Sequence, residues 1–318
     1  MLKKRLQNRI AESKLALPLT LAYSIGVWVL VGVVGIGPSS YSANMLVLPF
    51  LAFLLITFLM ASLNNIYALI RIYSRSVSCS FIVLSCTACF LFPSIECWLT
   101  QLCFATFLVV IFRTYQDRSS PGLTYFAFLC IGVGSLVAIK MLYLLPLLWL
   151  FMAFHLRSFH FRTFIASLLG VLTPYWLLMP WYVFRSDYAT PIRHFSSFVD
   201  VGAPFIYDGL SVGEIATISA VVLVSLIGIV HYIHDSYSDR IRVRDYFYVL
   251  IILNFVLSLT LVLLPQSANV LLGLVIITGS PLFGHFIALT SSRLSGIFFF
   301  ALLLLLLSLT VFNLWTLL

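Results

Sequence analysis

The residue whose type and position most invite chemistry is Lys140, near the middle of the apolar run "GVGSLVAIKMLYLLPLLWLFMAFHLR" (Gly132–Arg157). An ammonium at the centre of a bilayer costs at least ~3 kcal/mol, so its place needs a physical account. Lysine offers phosphate a mobile point charge. A second group of polar residues lies in "RSDYATPIRHFSSFVDVGAPFIYDGLSVGE" (Arg185–Glu214). Arg185, Arg193 and His194 can complete an anion site with Lys140, and Asp187 or Asp200 can serve as a general base for an acceptor hydroxyl. The alternatives are plain: Lys140 snorkels to headgroups, and the charges of the 185–214 segment pair with one another.

Other constellations carry less. His285, in "GSPLFGHFIALT", lies deep in an apolar run beside Gly279, Pro281 and Gly284. That composition predicts a broken or kinked helix of the kind that lines transporter sites; the alternative is a neutral imidazole bonded to a carbonyl. His231 and His234 in "HYIHD" have the i, i+3 spacing of metal ligands, yet also fit anchors at a helix end. Cys86 and Cys89 form a C-x-x-C without a second pair, and buried cysteine behaves as a small hydrophobe. There is no Walker motif, dinucleotide fingerprint, zincin motif or nucleophile elbow. No cofactor or metal site is predicted, and a divalent cation has only the scattered outer carboxylates to bind.

The elements that position these residues follow from composition. Of 318 residues, 62% are hydrophobic and 9% charged, against about 25% charged in soluble domains. Apolar runs near 20 residues recur along the chain, the mark of an all-α polytopic membrane bundle and not of a β-barrel. We place about eleven spans (10–12) at 16–36, 45–63, 77–92, 95–112, 122–139, 141–156, 164–184, 214–233, 246–264, 270–289 and 294–318, in one integral membrane domain covering 1–318. "MLKKRLQNRIAESK" is read as a cytoplasmic amphipathic tail (1–15) and not as a cleaved signal. Residues 185–213 form the main outer loop, with "HFSSFVD" as a short amphipathic surface helix. "LNNIYALIRIYSRS" (Leu63–Ser76) is read as a joint with helical spacing, either lying in the interface or a plain helical loop.

With the N-terminus in the cytoplasm, 15 of the 18 Lys and Arg residues fall on cytoplasmic segments, as positive-inside topology requires. The formal charge of +8 is therefore read as membrane anchoring and not as nucleic-acid binding. The same count locates Lys140. Arg113 and Arg118 precede the 122–156 run and Arg157 and Arg162 follow it, so the run is a helical hairpin with Lys140 at its outer tip. The expected location is a bacterial inner membrane, crossed many times.

Two resemblances add expectations. "RTYQDRSSPGLTYFAFLCIGVGSLVAIKMLYLLPLLWLFMAFHLRSF" resembles a segment of polyprenyl-phosphate-sugar-dependent glycosyltransferases of the GT-C superfamily. Gly132, Gly134, Lys140 and Pro146 stand where those enzymes carry a glycine-rich helix, a basic turn and a proline-containing helix. "LRSFHFRTFIASLLGVLTPYWLLMPWYVF" is similar to a segment of an uncharacterised family of Bacteroidota polytopic inner-membrane proteins, through Arg157, Phe159, Arg162, Gly170, Leu172, Thr173, Pro174 and Tyr175. "LNNIYALIRIYSRS" fits that family too. The GT-C resemblance implies a polyprenyl-phosphate-linked sugar and an acidic first outer loop. Here that loop, "GIGPSSYSANM" (Gly35–Met45), has no carboxylate, which leaves the base to Asp187 or Asp200 or leaves the scaffold non-catalytic. The functional expectations are a GT-C-like scaffold handling a polyprenyl-phosphate-linked substrate in envelope assembly, a transporter or flippase working through His285, or a structural subunit held by a membrane-protein partner.

Overall fold

The computed structural model describes residues 13–34, 43–200, 202, 204–289 and 293–317. The N-terminal tail up to residue 12 and most of the segment expected to be the first outer loop lie outside the described residues. Among the described residues every regular element is helical: α1 (Ala16–Val34), α2 (Ala43–Tyr67), α3 (Ser76–Thr87), α4 (Ile95–Ile111), α5 (Pro121–Val137), α6 (Leu145–Phe154), α7 (Phe161–Phe184), α8 (Ala189–Val199), α9 (Val212–Asp235), α10 (Ile241–Leu263), α11 (Ala268–Leu289) and α12 (Arg293–Leu317). Among the described residues each of the eleven apolar segments is mainly helical. Eight helices (α1, α2, α4, α7, α9, α10, α11 and α12) are long and apolar enough to cross a membrane. The protein is thus a multi-pass, all-helical membrane protein. The other three apolar segments form the shorter helices Ser76–Thr87, Pro121–Val137 and Ile139–Phe154.

α11 is the axis of the bundle. It packs on α3, α4, α9 and α10, and every residue from Leu272 to Ala288 is buried. A helix that is apolar all round belongs inside, and small residues let its neighbours come close. A Cβ on Gly284 would stand 3.0 Å from the Val77 backbone of α3, and one on Gly279 2.4 Å from Ser225 Oγ of α9. These glycines account for a departure from expectation. The composition around Pro281 predicts a broken helix, but α11 runs unbroken through it, because its glycines serve close packing and not interruption. The peripheral helices turn large apolar side chains outward (Leu19, Phe58, Trp176, Leu304), as a lipid-facing surface requires.

The hairpin forms as expected. α5 and α6 are joined by a tight 3₁₀ turn, Ile139–Leu144, which carries Lys140. Gln116 N donates to Leu156 O at 2.7 Å, tying the two feet of the hairpin together. α5 also lies against α7 with backbones nearly touching: a Cβ on Gly132 would meet Val171 O at 2.7 Å, and one on Gly170 would meet Tyr125 O at 2.5 Å.

The joint at 63–76 differs from the sequence reading. α2 stops at Tyr67 and Ala68 takes a left-handed φ of 47°. The side chain of the buried Asn64 satisfies backbone groups that a continuing helix would use. Its Oδ1 accepts from Ile70 N (3.3 Å) and its Nδ2 donates to Ser74 O (2.9 Å). Local side-chain bonding of this kind competes with helix, and residues 68–75 form an irregular loop.

Candidate functional site

The segments expected on opposite faces gather at opposite ends of the bundle. At the arginine-rich end, Arg71 pairs with Asp235 and Asp239 and Tyr115 with Asp245. At the other end, Lys140 meets Ser267 and Tyr143 meets Phe198.

The Lys140 end holds a cavity of about 400 Å³. Its walls are the hairpin turn with the end of α5, Leu257 and Thr260 of α10, Leu271 and Leu274 of α11, and Ser197 of α8. The lining is mainly apolar. Lys140 is half-buried in it and donates from Nζ to Ser267 Oγ at 2.9 Å. An ammonium carries three donors, and Ser267 takes one. Among the described residues no carboxylate lines the cavity.

A strap crosses this end. α8 is strongly amphipathic and buries none of its residues. The Tyr143 hydroxyl donates to Phe198 O, and the two rings lie 4.7 Å apart. Beyond α8, Gly202 takes a φ of +76° with the Gln266 amide so near that a Cβ there would sit 2.0 Å from Oε1. Only glycine fits both demands. Phe205 N then donates to Leu263 O at 3.0 Å, and Tyr207 Oη to Val262 O at 2.6 Å.

Of the residues expected to share an outer site, Lys140 alone lines the cavity. Arg185 lies over the Trp181 ring at 4.3 Å. Asp187 accepts from Thr190 N (3.1 Å) and Thr190 Oγ1 (2.7 Å). Those two bonds hold its carboxyl below the usual carboxylate range. Arg193 and His194 ride on α8, with the His194 ring beside those of Tyr175 (6.1 Å) and Phe195 (5.8 Å). Asp200 accepts from Gly202 N at 3.3 Å. Asp187 and Asp200 thus serve local turns, and the donor set around the cavity does not suit a divalent cation. The residues behind the two family resemblances meet one another instead. Pro174 packs against Gly132, Thr173 bonds Tyr125 (3.0 Å) and Tyr175 bonds Ser135 (2.8 Å), all along the α5–α7 seam.

The arginine-rich end holds a second cluster. His285 is fully buried near the end of α11, with Nε2 3.3 Å from Asp239 Oδ2. Asp239, whose side chain is also sealed from solvent, places Oδ1 2.9 Å from Arg71 Nε. Arg71 reaches on to Asp235 Oδ2 at 2.7 Å. The His231 ring lies 5.4 Å from that of His285, and Tyr232 and Phe247 close the pocket at 4.9 and 5.2 Å. His231 therefore faces His285 across the α9–α11 interface. Beside this cluster, the Arg242 guanidinium sits among Tyr67 (6.0 Å), Tyr115 (5.5 Å) and Tyr246 (5.5 Å) and donates to Tyr246 Oη at 2.6 Å. Desolvation and the bond to Asp245 push the Tyr115 hydroxyl up to about 12.

Sequence reasoning missed Asp239, because an aspartate in "HDSYSDRIRVRD" looks like any solvated loop charge. It also passed over Asn254, an amide inside a predicted span and therefore a visible signal. Asn254 Nδ2 donates to Thr278 Oγ1 (3.0 Å) and Val275 O (3.2 Å). No protein-family model, no curated protein and no solved structure matches this chain.

Proposed function

We propose that this protein holds the phosphate of a membrane-embedded lipid at Lys140, in the manner of a GT-C-like scaffold acting in bacterial envelope assembly. A polyprenyl-phosphate-linked sugar is the substrate class that fits, and the inner membrane, crossed eleven times with Lys140 on the outer side, is the setting. One observation carries the reading: a half-buried lysine, bonded to a single hydroxyl, inside a mainly apolar cavity of about 400 Å³. Such a pocket suits a ligand that is anionic at its head and hydrocarbon beyond it. The local bonding of Asp187 and Asp200 favours a scaffold that binds over one that transfers, since a general base must reach its proton.

The test is binding of farnesyl phosphate to the purified protein in nanodiscs. A charged hydrogen bond is worth about 1.5–3 kcal/mol, so Lys140→Ala weakens binding about 10- to 100-fold. Arg185→Ala, which leaves the cavity intact, changes it little. Equal affinity of wild type and Lys140→Ala refutes the reading.

A further inference from the structure

The helices α1 and α2 form an antiparallel pair that meets at one end only. Away from the arginine-rich end they touch: the Trp28 and Phe50 rings lie 5.3 Å apart, and a Cβ on Gly32 would stand 3.5 Å from Leu46 Cδ1. Each packs on α3 more than on the other. Toward the arginine-rich end a cavity of about 210 Å³ lies between them. Leu17 of α1, Ala61 and Asn65 of α2, Tyr73 and Arg75 of the α2–α3 joint, and Ser78 of α3 line it. It shares no residue with the Lys140 cavity. It is also smaller than the ~300–1,000 Å³ of pockets that enclose whole ligands, a size for a headgroup and not for a complete lipid.

The lining sets the charge of the occupant. Arg75 is half-buried; its Nη1 donates to Lys14 O at 3.1 Å and its Nη2 to Tyr73 Oη at 3.5 Å. A guanidinium carries five N–H donors, and these bonds use two. Among the described residues Arg75 has no ion-pair partner, and no carboxylate lines the cavity. Lys14, an exposed residue, adds a second cation beside it. Ser78 is 2% exposed, yet its hydroxyl has no hydrogen-bond partner among the described residues. A guanidinium and hydroxyls gathered without a counter-charge suit a phosphate. The same lack of a carboxylate disfavours a headgroup that carries its own ammonium.

The cavity also stands at headgroup depth. Phe58, Ala61 and Asn65 succeed one another at steps of three and four, on one face of α2. Phe58 is 68% exposed on the lipid-facing surface. Asn65 stands about 10 Å further along the helix, at 1.5 Å per residue, close to its end at Tyr67. Leu19 likewise turns outward on α1, two residues from Leu17 of the cavity wall. An apolar track therefore leads from the bilayer into a cationic, hydrogen-bonding pocket, which a free phosphate ion would not need. We infer that this pocket holds the phosphate of an anionic glycerophospholipid from the leaflet at the arginine-rich end, with the acyl chains along the α1–α2 groove. The site is independent of the ligand proposed for Lys140.

The experiment uses the full-length protein purified in detergent, with lipid binding titrated by native mass spectrometry. The probes are dioleoylphosphatidylglycerol, dioleoylphosphatidylcholine and inorganic phosphate. Wild type is expected to bind phosphatidylglycerol at least tenfold more tightly than phosphatidylcholine, and inorganic phosphate at the same concentration does not displace it. Arg75→Gln removes a charged donor and weakens phosphatidylglycerol binding about tenfold or more. Should that variant not fold, Asn65→Asp, a change at an exposed residue that sets a carboxylate on the cavity wall, weakens it likewise. Lys140→Ala leaves it unchanged. Equal affinity for the two lipids, displacement by inorganic phosphate, or wild-type affinity in a folded Arg75→Gln or Asn65→Asp protein overturns the inference. Loss of binding in Lys140→Ala assigns the lipid to the other cavity and overturns it as well.

Discussion

The α5–α7 contact yields a prediction whose size can be worked from distances. Gly170→Ala adds a Cβ 2.5 Å from Tyr125 O, 2.9 Å from Leu129 N and 3.1 Å from Phe128 Cβ. Two of these atoms belong to the backbone of α5 and cannot swing aside. Ordinary contact begins at 3.4 Å, so the helices must part by about 0.9 Å. Overpacking of this kind costs about 1–3 kcal/mol. The same displacement lengthens the Tyr125–Thr173 and Ser135–Tyr175 bonds, 3.0 and 2.8 Å long in the native pair. It also moves a cavity wall, because Val137 and Ala138 end α5 and line the cavity beside Lys140. We expect Gly170→Ala to lower the melting temperature in detergent and to weaken farnesyl phosphate binding. Gly132→Ala, whose Cβ meets Val171 O at 2.7 Å, acts alike, and the double variant costs less than the sum because the first wedge makes room for the second. Gly122→Ala and Gly26→Ala are the controls, since nothing lies within 4 Å of either Cβ. A Gly170→Ala protein as stable as these controls would refute the assigned helix–helix approach.

Further outcomes follow from the other end and from the strap. A double-mutant cycle on Arg71→Met and Asp239→Asn should return a coupling of about 2 kcal/mol, below the ~3–5 kcal/mol of a fully buried pair because Arg71 is partly solvated; a coupling near zero argues against the ion pair. Arg242→Lys keeps the charge but loses the planar stacking among three tyrosines and the Nε bond to Tyr246, and should lower stability by about 1–2 kcal/mol, read as a drop in melting temperature; an unchanged melting temperature argues against the stacked arrangement. The Asp187 carboxyl is held below its ordinary value of 3.8 by Thr190, so its contribution to the start of α8 is complete above that value. It is lost as pH falls through the lower folded value. Amide exchange in α8 should therefore quicken at acidic pH in wild type, and should already be fast at neutral pH in Asp187→Ala; identical protection in the two proteins would count against the cap.

Much of this fold was legible in the sequence because lipid solvent imposes a crude rule. Among the described residues each of the eleven apolar runs is mainly helical, and the arginines flanking 122–156 foretold a hairpin with Lys140 at its turn. Which helix lies at the centre was not readable from hydropathy. α11 and α12 have windows of mean hydropathy 2.0 and 2.6, yet 89% of the first and 28% of the second is buried. The distinguishing signal is steric: Gly273, Gly279 and Gly284 give α11 a surface that neighbours approach closely, while the described part of α12 has a single glycine, Gly296, with nothing near it. Gly279 and Gly284, with Pro281, were read as a sign of a break, since composition cannot say whether a glycine bends a helix or admits another.

The sites divide along a similar line. Lys140 was legible because its cost in lipid demands a reason, whereas its partner Ser267 and the strap contact at Gly202–Gln266 join segments far apart in sequence and carry no local pattern. Asp239 is the stronger case. In "HDSYSDRIR" it is one of several charges, and only folding seals it while Asp235, four residues earlier, stays a third exposed. A carboxylate taken out of water requires compensation of several kcal/mol, and here that demand recruits a loop arginine and a membrane histidine from segments 168 and 46 residues away. A tie between the α2–α3 joint and the central helix is stronger than an ordinary loop contact. The arginine-rich end is therefore where a change of charge acts directly on α11, through the contact of Asp239 with His285.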